Sequence, residues 1–459
     1  MKIETLRKIV LFQLALITII QTSNMYIIIP NYNLIREDLG VSDFFLGSMT
    51  GAYIFLSGIS SAVWSYLTEH LRLRRKWLLM LSLLVAGGFT YLVSLATNPA
   101  ILFLLRILTG VFLGAVFPLS YEIIADFYEN DKRTLAYMVW YIVSGIGMAL
   151  GFGMSVILAV FFGWRYPIYV NSMMLIFIGS PTAGLLVEPK RALGDILSIF
   201  GSHEGLEYTY RFRLSDLKLV LTNKTNIYVA VEEFVSTLPQ GVLIAWLTQY
   251  VVRELRSPEI VAMIFLGLGM LGGLFGVFIA KLADFFYSRN PRFRPLIAAI
   301  STSAQTIFLV VFLSLPIKLN IVEDDLVAAV LRFFSLMREN VLILFAVIVF
   351  FLGMVFNSSI EPIKNSVLSD VNLPEQRAIV VSAISTVELF FRSLGMALAG
   401  LISDITGSVR IMLISFTLLY LVSSMLWLRA VQVYPGDTEK IREMIKNKVN
   451  NVANGNSTG

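Results

Sequence analysis

The sequence predicts an all-α polytopic membrane protein, with twelve transmembrane helices arranged as two pseudo-symmetric six-helix bundles. Three observations predict it. Twelve apolar runs are each long enough to cross a bilayer, which takes roughly 20 residues at 1.5 Å rise each. One long polar stretch, 188–225, divides those runs six and six. The segment YEIIADFYENDKR at 121–133 also has a partner, NSVLSDVNLPEQR at 365–377, with the same acid-to-arginine spacing. Composition agrees, since 57% of the residues are hydrophobic and 15% charged, whereas soluble domains run at about half apolar and a quarter charged.

Spans 1–6 are read at 9–32, 45–67, 77–97, 100–125, 135–162 and 167–187. Spans 7–12 follow at 226–251, 258–283, 295–316, 340–369, 378–402 and 411–430. All are helices, because hydrocarbon cannot satisfy open backbone groups and no alternating ten-residue pattern suggests a barrel. The first run exceeds the apolar core of a signal peptide and no small-residue cleavage site follows it, so it stays as span 1. The domain reading is 1–187 for the first bundle, 188–225 for a linker, 226–430 for the second bundle and 431–459 for a tail. Within the linker, RFRLSDLKLVL at 211–221 reads as an amphipathic helix at the membrane surface, opened by Ser215 or Asp216. An insertion at 318–340 predicts an outer surface helix around DLVAAVLRFFSLM, and the tail predicts a short basic helix followed by disorder.

Orientation follows from loop lysines and arginines. With the N-terminus inside, 25 of them fall on the cytoplasmic side and 8 outside, which predicts a multi-pass protein of the cell membrane with both termini cytoplasmic. The net charge of +5 therefore reflects topology and attraction to anionic headgroups, and no nucleic-acid motif accompanies it. Absent cysteines exclude disulfides and thiolate metal sites, and His70 and His203 have no metal-ligand spacing. No cofactor or metal is expected. With no nucleophile elbow and no phosphate-binding glycine loop, neither an enzyme nor an ATP-driven pump is expected. The expected partners are the bilayer, a small-molecule or lipid substrate and a coupling proton or ion, with the chain a monomer.

The repeat is internal to the membrane region. One offset of 244 residues relates Pro118 to Pro362, Asp126 to Asp370 and Arg133 to Arg377, making spans 4 and 10 counterparts. GMAL at Gly147–Leu150 returns at Gly395–Leu398 with an offset of 248, about one helical turn longer. Duplicated six-helix halves with positively charged inner ends describe a secondary transporter working by alternating access.

The same residues resemble the major facilitator superfamily over essentially the whole hydrophobic chain. LLRILTGVFLGA in span 4, GIGMALGFG in span 5, the turn GWRYP at Gly163–Pro167 and AKLADFFYSRNPRFRP after span 8 carry the likeness. SYLTEHLRLRRKW after span 2 is a degenerate first copy of that last motif, with Glu69 replacing its aspartate. NPRFRPLI, VEPKRALG, GVLIAW and IADFYENDKR resemble the Spinster-like group in particular. That resemblance implies the major facilitator fold and export of lysophospholipids, sphingoid lipids or related amphiphiles. Two departures matter. The positions where the family carries carboxylates on helices 1 and 4 fall on Gln21 and Leu113.

Ionisable groups inside a span cost about 2.5–3.5 kcal/mol each on insertion scales and are candidates for function. For substrate binding or coupling the candidates are Arg106, Glu388, Arg392, Glu232, Glu361, Lys364 and Trp246. Glu388 and Arg392 are four apart and share a helix face, where Arg392 could hold an anionic headgroup or the two could form a permanent pair. Arg106 could bind a phosphate bidentately or snorkel to the interface. Neighbours on a helix diverge by about 100°, so at most one of Glu232 and Glu233 should face a cavity. Glu361 and Lys364, three apart, read as a structural pair or a binding site; Asn24, Tyr26, Asn171 and Asn357 could add polar lining. Glu69, Asp126, Arg133, Asp284, Arg289, Asp370 and Arg377 read as gate residues that pair across the halves or cap local helices. A small organic-anion or drug-like carrier, a ligand-binding sensor and an uncoupled lipid scramblase remain the alternatives.

Overall fold

A computed structural model describes residues 3–70, 74–128, 130–188, 223–322, 325–372 and 374–453. The described residues are helical apart from short connections, and the chain divides into two compact units, Met1–Tyr210 and Arg211–Gly459. The predicted surface helix at 211–221 lies outside the described residues.

In the first unit, α1 runs Ile3–Tyr26, breaks at Ile29–Asn31 and resumes as Tyr32–Leu39. Next come α2 (Asp43–His70), α3 (Arg75–Leu95), α4 (Pro99–Leu113 and Val116–Phe127) and α5 (Asn130–Phe162). The sixth span, α6, is one helical run from Arg165 to Gly184 with a wider π turn at Leu175–Gly179. Eleven described helices are long and apolar enough to cross a membrane on those grounds alone. The twelfth span is α6, whose polar Asn171, Ser172 and Ser180 lower its hydropathy and are all buried. They are buried because the bundle supplies partners; the Ser180 hydroxyl, for instance, donates to the Met80 carbonyl on α3 at 3.2 Å.

In the second unit, α7 (Lys224–Gln249) widens into a π turn at Tyr250–Glu254. It is followed by α8 (Glu259–Met270, then Gly276–Tyr287), α9 (Phe293–Ser314), α10 (Val341–Asp370) and α11 (Pro374–Thr406). The last span, α12, comprises Val409–Thr417 and Leu419–Ala453. The insertion forms the expected helix at Leu326–Glu339, N-capped by Asp325, whose carboxylate accepts from the Ala328 N–H at 2.8 Å. Its Phe333 is buried against Phe265 of α8.

The tail after residue 430 is helical, and its basic residues lie on a continuation of α12 that runs through Pro435 to Ala453. Tertiary bonds hold the continuation. Asp437 accepts from both the backbone N–H (2.9 Å) and the hydroxyl (2.7 Å) of Thr225, covering orphan donors at the start of α7. Tyr434 is buried and donates to Asp370 at the end of α10.

The two GMAL glycines have equivalent packing roles. A Cβ on Gly147 of α5 would lie 2.8 Å from the Ile19 carbonyl oxygen of α1, and one on Gly395 of α11 would strike the Leu238 carbonyl of α7. Each glycine lets two helix backbones touch, the small-residue packing that helices use in lipid, where no hydrophobic force draws them together. Gly145, two residues before Gly147, has nothing within 4 Å of its would-be Cβ. Gly147→Ala should therefore lower the thermal midpoint of the detergent-purified protein, with a loss of about 1–3 kcal/mol from overpacking. Gly145→Ala should leave the midpoint unchanged, and equal midpoints for the two variants would refute this account.

Candidate functional site

The polar centre of the first unit begins with a fault in α1. The α-helical run stops at Tyr26, and Pro30, which has no N–H, cannot extend it. Carbonyls at the end of a helix need donors, and hydrocarbon offers none. Arg106 of α4 supplies them, with Nη2 donating to the carbonyls of Asn24 (2.7 Å) and Met25 (3.0 Å) and Nη1 to Asn24 Oδ1 (2.9 Å). The Ser155 hydroxyl of α5 donates to the next carbonyl but one, that of Ile27, at 2.5 Å.

Asn24 is the hub that this arginine grips. Its Nδ2 donates to Asn171 Oδ1 of α6 at 2.8 Å and to the Thr90 hydroxyl of α3 at 3.1 Å. Tyr53 of α2 donates to Asn24 Oδ1 at 3.2 Å, and its ring lies 4.1 Å beneath the Arg106 guanidinium. Side chains from α1, α2, α3, α4 and α6 thus meet at one buried arginine that is 1% exposed. Snorkelling to the interface is excluded by that burial, and Asn24 and Asn171, expected as lining, belong to this internal network. At the two positions where the resemblance places carboxylates, Gln21 and Leu113 are both buried.

Each unit also contains an arginine at the start of its third helix, bound to the acid that ends its fourth. In the first unit, Arg75 meets Asp126 at 2.5 Å, Glu188 at 3.1 Å and Glu122 at 3.9 Å. In the second, Arg294 meets Asp284 at 2.6 Å and Asp370, and its guanidinium stacks 3.8 Å from the Tyr287 ring. The expected gate acids Asp126, Asp284 and Asp370 therefore find their arginine within their own unit. Arg289 lies over the Phe285 ring at 4.8 Å. The side chains of Glu69, Arg133 and Arg377 lie outside what is described. Arg294 was read only as one of the bases of the motif after span 8, and neither it nor Arg75 was singled out as the partner of these acids. Their signal was positional, since both begin a span just after a basic loop.

The second unit concentrates its charges at membrane depth. Arg392 of α11 pairs with Glu388, as the four-residue spacing predicted, and also donates to Gln240 of α7 at 2.8 Å, which was not foreseen. Lys364 of α10 lies 2.6 Å from Glu361 and 2.5 Å from Glu233 of α7. Glu232 turns the other way and accepts from the Ser423 hydroxyl of α12 at 2.5 Å. The 100° divergence of these neighbours is real, yet both are buried. Solvation of either at the membrane surface is thereby excluded. Trp246, expected in a binding site, is fully buried and donates to the Met396 carbonyl at 3.3 Å. It packs α7 against α11.

The Arg106 network can be tested by removal. Arg106→Ala would strand the carbonyls of Asn24 and Met25 at a cost of about 1–3 kcal/mol for each buried group left unsatisfied. The expected result is a clearly lowered thermal midpoint and increased protease cleavage near 24–31. A midpoint equal to the wild type would show that α1 does not depend on this arginine.

Comparison with known proteins adds an independent line. Residues 14–322 match the Major Facilitator Superfamily. The sphingosine-1-phosphate transporter SPNS2 of Danio rerio is 24% identical over 291 residues, covering 60% of this chain and 56% of that protein. The 4-hydroxybenzoate transporter PcaK of Acinetobacter baylyi is 25% identical over 252 residues, 53% of each chain. The chain thus spans about half the length of these curated relatives. Among solved structures, a bacterial homologue of the human lysosomal transporter Spinster aligns with a TM-score of 0.71 at 14% identity, over 94% of this chain and 98% of that one. The nucleoside transporter NupG aligns with a TM-score of 0.63 at 13% identity, over 93% and 98%. Identities this low speak to the fold alone, but the family match covers well over half the chain, from α1 across the polar linker into the second unit. This protein belongs to the major facilitator superfamily.

Proposed function

We propose that this protein is a secondary transporter that moves an amphiphilic, anionic small molecule such as a lysolipid across a cell membrane by alternating access. Both termini lie in the cytoplasm on this reading, following the lysine and arginine bias of the loops. The chain works as a monomer and performs no covalent chemistry on its cargo.

The observation that carries the proposal is the state of Arg392. Of the three cations singled out as candidates, Arg106 is 1% exposed and wrapped around α1, and Lys364 is held between two carboxylates. Arg392 is the most accessible, with its side chain 16% exposed and its partner Glu388 22% exposed. A guanidinium presents a planar fork of donors that suits phosphate or carboxylate, and an adjacent acid can hold it until an anion displaces that acid. Phe390 and Phe391 stand between the two charges in sequence and give the site apolar neighbours suited to an acyl chain. The two relatives, by name, carry a phosphate monoester of a sphingoid base and an aromatic carboxylate, which share an anionic head.

Counterflow in phosphatidylcholine proteoliposomes, with a panel of lysolipids and 4-hydroxybenzoate, tests the reading. Arg392→Ala should reduce uptake by about tenfold or more, the worth of a lost charge-assisted hydrogen bond, while elution volume and thermal midpoint stay as in the wild type. Arg392→Lys should recover only part of the loss, because an ammonium cannot reproduce bidentate contact. Uptake unaffected by Arg392→Ala would remove this residue from the site. Binding without counterflow would indicate a sensor, and lipid equilibration without a gradient would indicate a scramblase.

A further inference from the structure

The insertion between α9 and α10 presents a second apolar face besides the one that packs on its unit. Its helix, Leu326–Glu339, has 14 residues and is about 21 Å long at 1.5 Å per residue, too short to cross a hydrocarbon core of about 30 Å. At 100° per residue its side chains fall into four sectors. Ala329 and Phe333 are buried against the bundle. Val327, Leu331 and Phe334 share another face and are 59%, 64% and 47% exposed. Between these two sectors, Leu326, Val330 and Met337 form a half-buried apolar edge, and Arg332, Ser335 and Glu339 form the edge opposite. The polar edge satisfies itself, since Glu339 accepts from the Ser335 hydroxyl at 2.5 Å and lies 3.6 Å from Arg332.

Depth decides what the exposed apolar face meets. Phe333 packs on Phe265 of α8 with ring centroids 5.8 Å apart. Phe265 lies six residues beyond the start of α8 at Glu259, about 9 Å along its axis, and it stacks in turn on Phe312 of α9. The helix is therefore held level with the first turns of α8 rather than above them. Its exposed face also continues onto α10, a spanning helix whose Val341, Leu342, Phe345 and Ile348 are exposed. Asn340 ends the insertion helix and caps α10, its side chain accepting from the Leu342 N–H at 3.0 Å. A helix with apolar side chains on most of its girth and one polar edge, placed at the end of a span, fits the boundary between acyl chains and headgroups. Arg338 follows Leu331 by seven residues, so it ends the apolar stripe on the same face, where its stem can lie in hydrocarbon and its guanidinium at phosphate level.

We propose that Leu326–Glu339 is an interfacial anchor, with Val327, Leu331 and Phe334 among acyl chains and the edge of Arg332, Ser335 and Glu339 at the water boundary. Its partner is the bilayer, in the leaflet where α10 begins, which is the outer one on the orientation given above. The assignment does not depend on the transport reading. Because the helix runs directly into α10, its hold on the leaflet fixes the depth at which α10 enters the membrane.

The sequence contains no cysteine, so single nitroxide labels can be attached without background. Val327→Cys, Leu331→Cys, Phe334→Cys and Arg332→Cys are each labelled in the full chain, in phosphatidylcholine vesicles, and collisions are measured with oxygen, which enters hydrocarbon, and with a nickel chelate, which stays in water. At the three apolar positions oxygen collisions should exceed nickel collisions several-fold, and at Arg332 the order should reverse. Nickel access at Leu331 and Phe334 equal to that at Arg332 would place the face in water and overturn the anchor. Exclusion of both reagents from Leu331, with dipolar broadening between labels on different chains, would show a second copy covering the face and overturn it too. A preference for oxygen at all four positions would overturn the placement of the polar edge at the water boundary.

Discussion

In hydrocarbon, a carbonyl released from a helix must find a donor within the protein. The first unit is organised around one such release, at the break that Pro30 makes in α1. Arg106 answers it with a side chain of five N–H donors, and because a guanidinium is itself costly to bury, it must in turn be surrounded by acceptors. Asn24 provides both a carbonyl and an amide oxygen to that end. The orientation of Asn24 then fixes what Thr90, Asn171 and Tyr53 can do. A backbone fault in one helix thus dictates side chains on four others.

The two units share a frame and differ in its contents. GMAL glycines set the contact of α5 with α1 and of α11 with α7 in the same manner. Arg75 with Asp126, and Arg294 with Asp370, close corresponding ends of the third and fourth helices. The centres diverge. The first unit spends its one membrane-depth arginine on backbone, whereas the second places paired acids and bases between side chains that can exchange partners.

That difference directs the functional reading toward the second unit. Ion pairs that satisfy each other can be rearranged by a competing anion or a proton, while a guanidinium bonded to main-chain carbonyls cannot let go without unravelling a helix end. The neutral residues at Gln21 and Leu113 fit the same division, since neither can exchange a proton.

Much of this was legible in the sequence because the physics involved is local or periodic. Apolar run length determined the number of spans, the lysine and arginine bias suggested their direction, and the 244-residue offset identified spans 4 and 10 as counterparts. The four-residue spacing of Glu388 and Arg392 sufficed to pair them on one helix. Contacts between helices were another matter. No spacing rule connects Arg106 to Asn24, Lys364 to Glu233, Asp437 to Thr225 or Glu232 to Ser423, because each partner lies far away along the chain and its rotamer is selected by packing. The tail illustrates the limit, for composition predicted a short basic helix there without showing that Tyr434 and Asp437, bonded to Asp370 and Thr225, make it a continuation of α12. The sequence alone determined which groups must be buried in the membrane; tertiary structure decided which of them found a partner, since satisfaction of a buried charge depends on distances of a few ångströms that only the folded bundle defines.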